Sequence, residues 1–129
     1  MKEKTLSLRT IAYYSSPLQL GDINMANAID KGEWGYGIYF TDNKAYAKSK
    51  HKQGYLYRCE LFLDNPYICY TAEDKEIVLK LINKDEPSTF GYDGIVSLGD
   101  NFGEFKVNNY ILLKNITIKI IDVEKYETM

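Results

Sequence analysis

No stretch of this chain is more restrictive than Tyr55-Leu56-Tyr57-Arg58-Cys59-Glu60-Leu61-Phe62-Leu63. Tyr55, Tyr57, Cys59, Leu61 and Leu63 fall on one side, while Arg58 and Glu60 share the other with Leu56 and Phe62. Successive strand residues point to opposite faces, so this alternation sets a half-covered β-strand. Other strand signals surround it. Thr10 to Tyr14 is stopped by Ser15-Ser16-Pro17, and Ile38 to Thr41 follows a glycine pair. Tyr67 to Tyr70 comes after Asp64-Asn65-Pro66, and Gly94 to Ser97 after the Tyr92-Asp93-Gly94 turn. Beyond a polar loop, Gly99 to Gly103, a short arm Glu104 to Val107 folds back across Asn108-Asn109; Tyr110 to Leu113 and Ile116 to Asp122 close the set.

Three helices are expected between these strands. The first runs from Asp22 to Ala28, with Asp22 as cap, Ile23, Ala26 and Ile29 on one side, and Gly32 as terminator. The second runs from Asp42 to Lys50. The third is capped by Thr71, carries the apolar stripe Ile77, Val78, Leu81 and Ile82, and has Pro87 beyond its end. The fold class is α+β with strands in the majority, in one domain spanning 1–129.

A chain of 129 residues, 45% hydrophobic and 26% charged, can bury a core without disulfide help. Cys59 and Cys69 lie in apolar surroundings without metal-ligand spacing, which reads as buried free thiols and no oxidising compartment. His51 is the only histidine, so no metal site is expected. Met1-Lys2-Glu3-Lys4-Thr5 leads into no apolar run of signal-peptide length, and no segment could span a bilayer; a soluble, cytoplasmic protein is expected. A net charge of −2 argues against strong non-specific nucleic-acid binding. Asp93 and Asp100 read as turn residues, and Lys119 as a residue facing solvent.

The chain holds 12 tyrosines, most of them amphipathic filler on half-buried strands. Two stand apart. Gly35-Tyr36-Gly37-Ile38-Tyr39-Phe40-Thr41-Asp42 precedes Ala45-Tyr46-Ala47, so Tyr39 sits on a strand and Tyr46 on the helix after it. The glycines lead into a strand rather than a helix, which excludes a Rossmann-type phosphate loop. Taken singly, each ring reads as core. Taken with the flanking pattern, the two phenols wall one slot, suited to a flat polar ring such as nicotinamide.

This arrangement resembles the ADP-ribosyltransferase family, the diphtheria-toxin-like and poly-ADP-ribose-polymerase-like enzymes. Their central motif is a Gly-x-Gly-[Ile/Leu]-Tyr-Phe strand followed by a helix with a second Tyr. The resemblance spans Ile11 to Ile120. It implies a split two-sheet β core with two to three short helices, and NAD as the substrate. The family's first strand ends in Tyr-His-Gly-[Thr/Ser]; here the segment is Tyr13-Tyr14-Ser15-Ser16, with Tyr14 where the His is expected. Its third element opens with the catalytic Glu; here Asn109-Tyr110-Ile111-Leu112-Leu113 matches, with Asn109 at that Glu, and Tyr92-Asp93-Gly94-Ile95-Val96 is a common lead-in. The resemblance therefore implies that Tyr13, Tyr14, Ser15, Gly37, Tyr39, Phe40 and Tyr46 hold NAD. Tyr14, Tyr39, Asn109 and a substitute carboxylate, Glu104, would serve the chemistry.

Cleavage of the nicotinamide–ribose bond builds positive charge on the sugar, which a nearby carboxylate stabilises. Asn109 keeps a hydrogen bond without the charge, and loss of one such partner costs ~10²–10³ in rate, or roughly 3–4 kcal/mol. Two functions follow. One is a mono-ADP-ribosyltransferase acting on a protein, nucleic-acid or small-molecule acceptor. The other is a catalytically silent module that binds NAD, ADP-ribose or a protein partner. Compact domains of this kind resemble those of phages, where a silent module could act as an anti-defence inhibitor in the host cytoplasm. A carboxylate in the slot favours the first; a slot whose polar groups are amides and hydroxyls favours the second. Lys44, Lys48, Lys50, His51 and Lys52 form a basic stretch that reads as a solvated face or, beside a nucleotide, as an attractor for pyrophosphate or for an RNA or protein acceptor.

Overall fold

The computed structural model describes residues 7–27, 29–32, 35–82, 91–114 and 116–127. In chain order its elements are β1 (Leu8–Ser16), a 3₁₀ turn (Met25–Asn27), β2 (Ile29–Gly32), β3 (Gly35–Thr41), α1 (Lys44–Lys48), β4 (Gln53–Leu63), β5 (Pro66–Cys69), α2 (Ala72–Leu81), β6 (Gly94–Phe102), β7 (Phe105–Leu112) and β8 (Thr117–Glu127). The sheet order is β5-β6-β7-β3-β1-β4-β8, with β2 paired to β3 beside that path. All neighbours are antiparallel except β5 and β6.

The protein is thus mixed α+β, as the sequence predicts, but its strands form one sheet rather than two. That sheet has one thinly paired seam. β1 pairs with β4 along its whole length, from Leu8–Leu63 to Ser16–Tyr55. β1 and β3 meet at a single described pair, Tyr13 and Thr41. On either side of that seam the sheet bends back on itself. Leu63 of β4 reaches β6 so closely that a Cβ on Gly94 would lie 2.7 Å from its Cδ2. Ala12, Ile38, Phe40, Tyr57, Leu61, Leu63, Val96 and Leu112 accordingly share one buried cluster drawn from both wings. Asp93 braces this closure. Its carboxylate accepts from the Asp64 and Asn65 amides at 2.7 and 3.2 Å, and its own N–H donates to the Asn65 carbonyl.

The first expected helix shrinks to the 3₁₀ turn. Asn27 Oδ1 accepts from the Asn24 amide at 2.9 Å, and this side-chain bond competes with helix growth. The Tyr57 hydroxyl accepts from the Leu20 amide and donates to its carbonyl, so the preceding segment stays extended against the core with Ile23 inserted. Gly32, expected to stop that helix, ends strand β2 instead. The second helix is capped by Asn43, whose Oδ1 accepts from the Tyr46 amide, because Asp42 is engaged by the amide and side chain of Asn108. Asn108 and Asn109 are not a turn: they lie inside β7, and the hairpin turns at Gly103-Glu104. What reads as a polar loop from Gly99 to Gly103 is mostly β6, carried past a bulge between Ser97 and Asp100.

α2 begins as expected, with a capping box between Thr71 and Asp74. Its buried line differs. Val78 and Ile82 are covered, but Ile77 and Leu81 are exposed. Lys75 turns inward to Asp100 and Leu79 packs on the sheet, so the covered positions run Lys75, Val78, Leu79, Ile82, rotated from the apolar stripe. Pro87 lies outside the described residues, as does the chain's start.

Both cysteines are fully buried free thiols. Burial pushes Cys59 up to about 12 and Cys69 up to about 11. At pH 9, where an exposed thiol is half ionised, neither is expected to react with Ellman's reagent until the domain unfolds. Labelling that runs ahead of the loss of circular dichroism would show that one of them is reached by local opening.

Candidate functional site

Strand alternation decides which members of the glycine motif reach the site. Gly37, Tyr39 and Thr41 of β3 face the helix side of the sheet, whereas Ile38 and Phe40 point into the main core. Gly37 has no substitute. A Cβ there would lie 2.9 Å from both Ile111 Cγ2 and the Leu112 carbonyl oxygen. β1 turns Tyr13 and Ser15 to the same side, while Tyr14 borders the gap from the core face, its ring 5.4 Å from that of Phe40.

Where β1 and β3 part, these residues line a cleft of about 300 Å³. Pro17 and Asn27 close one end, and Ala47, Lys50 and His51 close the helix side. α1 is held there by Ala47, packed with Leu56, Tyr126 and Tyr13, and by Lys44 and Lys48, which both bridge to Glu124 at 3.1 and 2.5 Å. The basic stretch is therefore divided: Lys44 and Lys48 are spent on β8, and Lys50 and His51 border the cleft. Ser15 Oγ and Tyr126 Oη share a 2.5 Å hydrogen bond that fixes the wall behind them.

Burial raises the pKa of Tyr14, so its phenol stays neutral and able to donate or accept. Lys50 is an exposed residue overall, yet surrounding protein strips water from its amine and lowers its pKa. Its Nζ also sits 5.2 Å from the Tyr46 ring centroid, a contact that favours the charged form. The cleft wall thus combines phenol, hydroxyl, amide, imidazole and amine groups. Among the described residues that line it, none carries a carboxylate.

Of the residues expected to hold NAD, Tyr13, Tyr14, Ser15, Gly37 and Tyr39 are brought together. Phe40 is not, because it is buried in the core behind them. Nor does Tyr46 face Tyr39 across a slot. Its ring stacks on Phe102 at 5.1 Å and tilts against Phe105 at 5.6 Å, outside the cleft lining, and the rings opposite Tyr39 are those of β1. Glu104 is exposed in the turn between those two phenylalanines. Asn109 shares a cross-strand row with Tyr13, Thr41 and Ser97, but its amide donates to Asp100 Oδ2 at 2.9 Å.

Asp100 is no turn residue. Its carboxylate also accepts from Ser97 Oγ at 2.9 Å and pairs with Lys75 of α2. Asp100 and Lys75 side chains are 10% and 22% exposed, so this group is spoken for within the fold. Thr41, Pro17 and Asn27 were not singled out by sequence. Thr41 could have been, since it lies two residues beyond Tyr39 on the same face; the other two are placed by the loop after β1.

Among the described residues, no group of three His, Cys, Asp or Glu could hold a metal ion, and no helix is long and apolar enough to cross a membrane. No protein-family model matches the chain, and no curated protein matches it in sequence.

Proposed function

We propose that this domain is an ADP-ribosyltransferase-like module that binds NAD or ADP-ribose in the seam between β1 and β3 and does not turn it over efficiently. The supporting observation is the composition of the cleft wall: among the described residues it presents aromatic faces, hydroxyls, an amine and an imidazole, and no carboxylate. Tyrosine faces suit a planar base or pyridine ring, and Lys50 and His51 suit phosphate oxygens. None of the described residues in that wall offers the negative charge that an oxocarbenium-like transition state requires.

Glu104 carries the alternative, a working transferase. Its turn sits between Phe102 and Phe105, which pack on Tyr46 of the helix that contributes Ala47 to the cleft. Incubation with NAD labelled in its adenylate separates the two. Binding without nicotinamide release or label transfer is the expected result. Turnover that Glu104→Gln abolishes would establish the transferase instead, and absence of any NAD or ADP-ribose binding would remove the nucleotide reading altogether.

A further inference from the structure

β8 ends the sheet, and among the described residues it pairs with β4 alone. Its outer edge therefore offers a row of backbone donors and acceptors to another strand. The β4 register sorts its side chains. Thr117, Lys119, Asp122 and Glu124 share the face of Arg58 and Glu60, while Ile118, Ile120 and Val123 share the face of Tyr57 and Leu61. Ile121 is the extra residue of a bulge in that ladder. The edge position leaves apolar surface uncovered: Ile121 and Val123 are 40% and 45% exposed. Asp122 takes both bonds from Arg58 on Oδ2, at 3.0 and 2.8 Å, and its Oδ1 has no bond among the described residues.

We propose that β8 is a self-pairing edge, joining antiparallel to β8 of a second copy about a two-fold axis at Ile120. The proposal does not depend on the nucleotide reading. In that register each Lys119 lies opposite the partner's Asp122, whose Oδ1 can accept from the ammonium. Thr117 lies opposite the partner's Glu124 and can donate its hydroxyl to a carboxylate lone pair that Lys44 and Lys48 leave unused. On the other face Ile118 meets the partner's Val123, and Ile120 meets its own counterpart. Ile121 stays extra in the new ladder as in the old. Charged side chains on an edge ordinarily deter pairing; here they choose a register. Sliding the strands to either neighbouring register that keeps the faces aligned opposes Lys119 to Lys119 or Asp122 to Asp122. The residue order of β8 complements its own reverse, which favours a second copy over an unrelated strand.

Sedimentation velocity on the whole chain, over a concentration series reaching about 100 μM, tests this. A reversible dimer is expected. Lys119→Glu and Asp122→Lys each turn two attractive cross-strand pairs into two repulsive ones. Each should raise the dimer dissociation constant by about tenfold or more, and the double variant should recover most of the loss. Both residues are exposed, and circular dichroism verifies that the variants fold. A chain that stays monomeric throughout the series, a dimer indifferent to both single changes, or a double variant no tighter than the singles overturns the proposal.

Discussion

Asp100→Ala is expected to lower the free energy of unfolding by about 3 kcal/mol, within the range for removing one partner of a buried ion pair. Asp100 satisfies three donors at once: the Lys75 ammonium, the Ser97 hydroxyl and the Asn109 amide. Ser97 is fully buried, and Lys75 retains only 22% of its exposure, so neither recovers full hydration when the carboxylate is gone. The loss also removes the one ion pair that ties α2 to β6 among the described residues, leaving the apolar contacts of Val78, Leu79 and Ile82 to hold the helix. A urea titration should show a lower midpoint with an unchanged slope. A change below about 1 kcal/mol would place the pair among ordinary surface ion pairs. The pairs of Lys44 and Lys48 with Glu124 are of that ordinary kind, since the Glu124 side chain is 40% exposed.

Tyr39→Ala is the second large effect, on ligand rather than on fold. Removing one aromatic wall should weaken NAD or ADP-ribose binding by roughly 10–100-fold, because a base–aromatic stack is worth ~1–3 kcal/mol. Tyr46→Ala should leave affinity nearly unchanged, since that ring is already stacked on Phe102. Tyr39 also packs against the cluster around Ile95 and Ile111. Tyr39→Leu therefore serves as the companion variant, keeping apolar contact while deleting the stack. Calorimetry on both, with circular dichroism to verify folding, checks the assignment; equal losses for Tyr39 and Tyr46 would return the site to the strand–helix slot.

The contrast between these residues shows what the sequence could carry. Period-two alternation fixed β4, and the Thr71-x-x-Asp74 pattern fixed the start of α2, because both are local signals. The glycine motif located β3 and half of the cleft for the same reason. Tyr46 was misplaced because its partner is decided by a hairpin tip more than fifty residues downstream in sequence. Asn109 and Asp100 were misread for a related cause. A bulge between Ser97 and Asp100 turns the carboxylate inward, and bulges leave no composition signature beyond a glycine such as Gly99. Which rings oppose Tyr39 depends on where two strands cease to pair, which is a property of the whole sheet.

The closure at Leu63 and Gly94, together with Asp93, has a consequence for recognition. The opening beside β1 is bounded at one end by the Tyr13–Thr41 bridge, while across the sheet the wings are clasped through a two-residue connection between β4 and β5. A gap framed in this way arrives pre-shaped: its walls sacrifice little freedom when a guest enters, and modest contact area can then yield useful affinity.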